Sequence, residues 1–267
     1  MLSLGSTELT GLDSVAMPSS GGGGDPISLL MGLILKPGGS KEEEEGGFIV
    51  RDPPSGIVSV VGRPSAEAIR EAVARNEEGG DVLAQTENAD HVDAALSHRW
   101  ERTVVKLHLL ASTDKLLGSS VPETNILGLP EMDDGRDEFE IVTERAEFLS
   151  NIEVAEVEGI SDELREELTV AALRGPVVGM NVRGKHVSFC HAEVQTETMW
   201  DVSIDTLEDE RRKGYAEKAV AHLAEHMLDD RRKRPMWGAL ETNGASLRLA
   251  AKLGFRPVDE MVLFERD

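Results

Sequence analysis

Changes in hydrophobic period mark the elements along this chain. Ile57-Val58-Ser59-Val60-Val61 is a short β-branched run and predicts a strand. Ser65 is placed to cap a helix with Ile69, Ala72 and Val73 on one face. Val82-Leu83-Ala84 predicts the next strand, Val92, Ala95, Leu96 and Arg99 have helical spacing, and residues 103–110 return to a strand. A loop-like stretch at 113–137 contains Pro122, Pro130 and Asp133-Asp134-Gly135. Ser161 then caps a helix that runs to Leu173 and stops at Gly175-Pro176. Strands at 177–182 and 186–195 flank the turn Arg183-Gly184-Lys185, and a third follows at 199–206. From about Gly214, the residues Ala216, Ala219, Val220, Leu223, Ala224 and Met227 form the apolar stripe of a helix. A strand at 236–241, a short helix at 245–253 stopped by Gly254, and a strand at 258–264 complete the pattern.

The expected class is α/β, in three segments. Residues 1–47 read as linker-like, with Gly21 to Gly24, Pro37-Gly38-Gly39 and the self-repelling run Glu42 to Glu45. The apolar run at 27–35 between them has the composition to add a strand or helix to a neighbouring core. Residues 48–137 form a first α/β domain whose ordered part is marginal alone, so it is expected to pack on the rest of the chain. Residues 138–267 form the second. No internal repeat is visible by eye.

Composition narrows the chemistry. The chain has 267 residues, 40% hydrophobic and 29% charged, as in soluble globular proteins. A single cysteine, Cys190, excludes a disulfide framework and a multi-thiolate metal site, and no metal is expected. The run at 27–35 is far short of the ~20 residues of a membrane helix, and no basic region precedes it. The expectation is a cytoplasmic protein without a membrane partner. The net charge of −22 disfavours nucleic acid and favours cationic ligands. Residues 201–267 hold 12 basic and 14 acidic side chains, a net of −2, so the remaining −20 lies upstream. The clusters Arg211-Arg212-Lys213 and 231–234 are therefore local cation concentrations in an acidic chain.

The first cluster follows a strand and opens a helix: Arg211-Arg212-Lys213-Gly214-Tyr215-Ala216. N–H groups at a helix start point outward with partial positive charge and suit a phosphate. Gly214 lets backbone approach a ligand, small Ala216 leaves room, and the cations add charge-assisted contacts. Downstream, Asn243-Gly244-Ala245-Ser246 opens the helix that ends in Lys252-Leu253-Gly254-Phe255. Taken alone, that is an Asn cap and a Gly stop.

In this order and spacing the two motifs resemble the GNAT superfamily of acyl-CoA-dependent N-acetyltransferases, over about residues 138–267. Arg211, Gly214 and Ala216 fit its pyrophosphate loop, and Asn243, Ser246, Lys252, Gly254 and Phe255 fit its later motif. Together with Trp237, they look like the subgroup that includes zwittermicin-resistance-type acetyltransferases. The resemblance implies a mixed, splayed central sheet. It implies acetyl-CoA held along Ile204, Asp205 and Thr206, its diphosphate on Arg211, Arg212, Lys213, Gly214, Tyr215 and Ala216, with Asn243 nearby. A primary amine on a small molecule would attack the thioester directly, so Cys190 is expected to be core. The amine must lose a proton, and Glu193, His191 and Asp201 are the candidate bases. Many members carry a Tyr seven residues after the Asn. Here that position is Ala250, which leaves Ser246 or water to protonate the thiolate, or the thiolate to leave unassisted. It also keeps open a CoA-binding module without turnover, or a structural domain without cofactor. Monomer and homodimer both stay open. The His222-x-x-Glu225-His226 spacing is that of a zinc peptidase, but it reads as helix surface, and Trp100, Trp200 and Trp237 read as packing.

Overall fold

A computed structural model describes residues 40–44, 46–52, 56–75, 80–96, 100–117, 144–196, 198–229 and 232–266. The apolar run at 27–35, the glycine run at 21–24 and the loop-like 118–137 lie outside the described residues.

All eleven strands join one sheet: β1 (Ser40–Glu44), β2 (Gly47–Asp52), β3 (Ile57–Gly62), β4 (Val82–Gln85), β5 (Trp100–Leu110), β6 (Glu144–Leu149), β7 (Val177–Val182), β8 (Lys185–Gln195), β9 (Met199–Thr206), β10 (Arg234–Leu240) and β11 (Phe255–Arg266). The helices are α1 (Ala66–Ala74), α2 (Ala89–Leu96), α3 (Asp114–Leu117), α4 (Asn151–Glu156), α5 (Asp162–Arg174), α6 (Tyr215–Asp229) and α7 (Gly244–Lys252).

The strand order is β1-β2-β3-β4-β11-β5-β10-β9-β8-β7-β6, in which β1 to β4 and β11 on one side of the β11–β5 seam mirror β7 to β10 and β5 on the other, with β6 added beyond β7. On each side an antiparallel meander ends in β3 or β9. A helix, α1 or α6, crosses to a parallel neighbour, β4 or β10. A second helix and a long strand follow, and that strand leaves for the other half. β5 pairs with β10, β11 pairs with β4, and the two pair with each other from Leu110–Phe255 to Trp100–Arg266. The chain thus carries the same strand plan twice. The halves share a sheet through exchanged strands, where the sequence reading expects one unit packed on another. Exchange gives both long strands partners on both edges and leaves only short β1 and β6 at the sheet's edges.

Local chemistry accounts for most elements. Ser65, Ser150 and Ser161 accept hydrogen bonds from the first-turn amides of α1, α4 and α5. Arg183 (φ 52°) and Gly184 (φ 80°) make the two-residue, positive-φ turn between β7 and β8. The α6 stripe buries Ala219, Val220, Leu223, Ala224 and Met227 against Cys190, Trp200, Val202, Trp237 and Phe255. Each large apolar side chain buried this way contributes about 1.5–3 kcal/mol. On β8, Cys190 joins that core while neighbouring Phe189 joins the core of Leu168, so α6 and α5 cover opposite faces. Four elements depart from the sequence reading. Ser40–Glu44 is a strand within the segment read as linker, with Glu42 paired to Arg51 and Arg75, so its charge is compensated in the hairpin. The β6 strand and α4 helix were not anticipated, and α3 falls within the stretch read as loop.

Candidate functional site

The site begins where β9 and β10 part. They pair only at Met199–Arg234, Trp200–Pro235 and Asp201–Met236. From Met236 to Leu240, β10 pairs on its other edge with β5. Beyond Asp201 the facing edges of β9 and β10 are therefore free of each other. A cleft of about 850 Å³ opens there, lined among others by Ile204, Thr206, Arg211, Gly214, Ser246 and Lys252.

The loop at its mouth runs from a short turn at Glu208–Glu210 into α6. Arg212 (φ 65°) and Gly214 (φ 86°) both lie in the left-handed region, which folds the backbone into a concave nest. A Cβ on Gly214 would meet nothing within 4 Å, so the glycine answers to its φ and not to crowding. Arg211 donates its Nε–H to the Thr206 carbonyl (3.1 Å), and Lys213 reaches Glu210 (2.8 Å). Among the described residues, no protein acceptor meets the N–H groups of Arg212 to Ala216. The contrast is with α1 and α7, where the Ala68 N–H is taken by the Ser65 side chain and the Ser246 N–H by that of Asn243. Unmet N–H groups beside guanidinium and ammonium groups suit a diphosphate.

The comparisons with known proteins fit this geometry. Residues 174–264 match the GNAT acetyltransferase family. The chain carries a GNAT acetyltransferase domain. A GCN5-related N-acetyltransferase-like protein from Streptococcus suis 89/1591 superposes with TM-score 0.58 at 15% identity, over 89% of this chain and 92% of that one. A putative acetyltransferase of the GNAT family from Novosphingobium aromaticivorans gives 0.51 at 14%, over 91% and 99%. A tandem GNAT protein from the clavulanic acid biosynthesis pathway gives 0.50 at 15%, over 82% and 77%. At these identities the likeness is one of fold. No curated protein matches the chain.

Within the GNAT domain the candidate residues separate. Ile204, Asp205, Thr206, Arg211, Arg212, Gly214, Tyr215, Ala216, Asn243 and Ser246 all line the cleft. Lys213 does not line it and is held by Glu210. Asn243 spends its side-chain oxygen capping α7 at Ser246 N (3.1 Å). Ser246 accepts the indole N–H of Trp237 (2.8 Å), which leaves its own O–H to donate. Asp201 sits at the apex and accepts Gly238 N–H (3.3 Å), a structural clamp. Glu193 lies in a bulge of β8 between Ala192 and Gln195; it is exposed and lines no part of the cleft.

Four further positions have structural roles. Ala250 is fully buried in the α6 core, so the position of the family's tyrosine does not open on the cleft. Burial pushes the Cys190 thiol far up, which removes it as a nucleophile. His222 and His226 stack on Phe148 (5.0 and 4.8 Å), and no cluster of three metal-ligating side chains occurs among the described residues.

The sequence reading passed over Ser203 and Glu167. Trp200 and Val202 enter the α6 core, so Asp201, Ser203 and Asp205 project from the opposite face, toward α5. There Glu167 of α5 lies 3.3 Å from His191 Nε2 and 3.5 Å from Ser203 Oγ. Burial raises the Asp205 carboxyl above the usual range, and Glu167 and Glu193 add to this against His191 and Arg211. No local pattern marks Glu167, which sits on an amphipathic helix like any surface acid.

The first half carries the mirror position, closed. Its parallel strands pair at Val58–Val82, Ser59–Leu83 and Val60–Ala84. Beyond that, Gln85 Oε1 fills the gap, accepting from Gly62 N (3.0 Å) and Asn88 Nδ2 (3.1 Å). Ser65 caps α1, and His91 Nε2 meets the Pro64 carbonyl at 2.7 Å.

Proposed function

We propose that the chain is an acyl-CoA-dependent N-acetyltransferase that moves acetyl from acetyl-CoA to a primary amine, on a small molecule, by direct attack in a ternary complex. The observation that carries this reading is the run of unmet N–H groups from Arg212 to Ala216 at the mouth of the β9–β10 cleft. They would hold the diphosphate, with Arg211 and Arg212 supplying charge, and the free edge of Ile204 to Thr206 would align the pantetheine arm. Acetyl-CoA supplies an activated acyl carbon, so the chain needs no nucleophile of its own. Its tasks are to orient the thioester, stabilise charge on the carbonyl oxygen and remove a proton from the amine.

Following free thiol while acetyl-CoA is mixed with a panel of amines tests the reading. Thiol release with one or more amines supports it. CoA binding with silence across a broad panel supports a second reading, a CoA-holding sensor or interaction module. Buried Ala250, which leaves no phenol at the cleft position the resemblance points to, favours that alternative.

A further inference from the structure

His191 is the buried group that the cleft alone leaves unexplained. It is 3% exposed, its Nε2 lies 3.3 Å from Glu167 Oε1, and its Nδ1 is buried without a partner. A carboxylate near Nε2 favours the tautomer with the hydrogen on Nε2, which leaves Nδ1 a bare lone pair. A buried lone pair without a donor is costly unless something brings it a proton. His191 stands opposite Ser203 on β9, the strand whose far edge opens on the cleft. Two residues on, Asp205 emerges on the same face and lines that cleft. Glu167, with 48% of its side chain exposed, links the group to solvent.

We propose that Asp205, His191 and Glu167 form the proton exit of the transfer reaction: Asp205 takes the proton from the acceptor's ammonium group, and His191, held by Glu167, receives it at Nδ1. This rests on the transferase reading. Asp205 is the catalytic residue, and His191 and Glu167 are positioning residues behind it. One proton leaves the ammonium group by this route and passes to solvent past Glu167. The freed nitrogen lone pair then forms a bond to the acetyl carbon and the carbon–sulfur bond breaks. The second nitrogen proton ends on the departing thiolate, giving amide and free CoA thiol. The charged groups facing Asp205 are Glu167 from α5, His191 and Glu193 from β8, and Arg211 from the loop. Loss of the Glu167 charge makes Asp205 a weaker base.

Nitrogen-15 NMR of the His191 ring in the full chain tests the arrangement without turnover. The expected result is the Nε2–H tautomer in wild type, lost or mixed with Nδ1–H in Glu167→Gln. An Nδ1–H tautomer in wild type, or a tautomer that Glu167→Gln leaves unchanged, overturns the proposal. Calorimetry with CoA on the same proteins separates the two levels. Wild type that fails to bind CoA removes the transferase reading itself, whereas normal binding with the wrong tautomer removes only the proton exit. With saturating acetyl-CoA and excess spermidine as the amine probe, Asp205→Asn slows thiol release about 10²-fold. Glu167→Gln moves the acid limb of kcat/KM to lower pH, and His191→Gln does not. A wild type that binds CoA yet releases no thiol with spermidine, or release unaffected by Asp205→Asn, overturns the proton role.

Discussion

Gln85 holds its side-chain oxygen 3.0 Å from the backbone nitrogen of Gly62, across the gap where β3 and β4 part. The equivalent gap in the second half, between β9 and β10, is the cleft. Both halves therefore build the same divergence of parallel strands, and one side-chain amide closes the first. The carboxamide oxygen of Gln85 accepts the strand N–H that a ligand amide would otherwise meet. A capped helix start and a short loop remove the rest of the phosphate cradle.

Replacing Gln85 with Ala leaves Gly62 N–H and the buried Asn88 amide without their acceptor. The expected loss is about 1 kcal/mol, at the low end for an orphaned donor because Gly62 is half-buried. Urea unfolding measures it. Coenzyme stoichiometry by calorimetry should stay at one per chain, since Ser65 still occupies the α1 amides.

Gly214→Glu should separate folding from binding. Its φ of 86° costs a side chain about 1–2 kcal/mol, yet nothing stands where the Cβ would go. The new carboxylate enters the run of amides proposed to hold the diphosphate. CoA affinity should fall at least about tenfold, or ~1.4 kcal/mol, while the thermal transition stays cooperative. Calorimetry beside a melt checks both.

Ser246→Ala removes the acceptor of the Trp237 indole N–H, and Trp237 is 1% exposed. The orphaned buried donor should cost about 1–3 kcal/mol in denaturant unfolding. If the Ser246 hydroxyl also protonates the leaving thiolate, the rate of thiol release falls while the KM for acetyl-CoA holds. An unchanged rate assigns that proton to water.

Asp205→Asn should stabilise the fold at neutral pH. A carboxyl raised in the folded state contributes stability below its unfolded pKa, near ~3.9, and loses it as pH rises through the folded value. At pH 7 the ionised Asp205 opposes folding, and the amide does not. Melting temperatures of the two proteins should differ at pH 7 and converge below about pH 4.

Local signals were legible where local chemistry decides. Ser65 and Ser161 cap where their sequence contexts say, Arg183-Gly184 turns, and the stripe from Ala219 to Met227 faces the core. The turn from β9 into α6 was legible because glycine beside a run of cations marks a strand–helix junction. The exchange of β5 and β11 was not, since a strand's own pattern specifies which face is buried and not which neighbour it pairs with. Glu144–Leu149 escaped notice because Glu144, Arg145 and Glu147 lie on an edge strand, where their charges pair with Lys218, one another and His186. Glu167 was invisible because its partners, His191 and Ser203, come from two other elements.

The central claim is that the N–H groups of Arg212 to Ala216 cradle the coenzyme's diphosphate. Titrating CoA into the nitrogen-15-labelled chain, with pantetheine lacking the diphosphate as control, tests it most directly. The account requires large, saturable shifts of these five amide signals with CoA and none with pantetheine. CoA binding that leaves them in place, or no CoA binding at all, would contradict it.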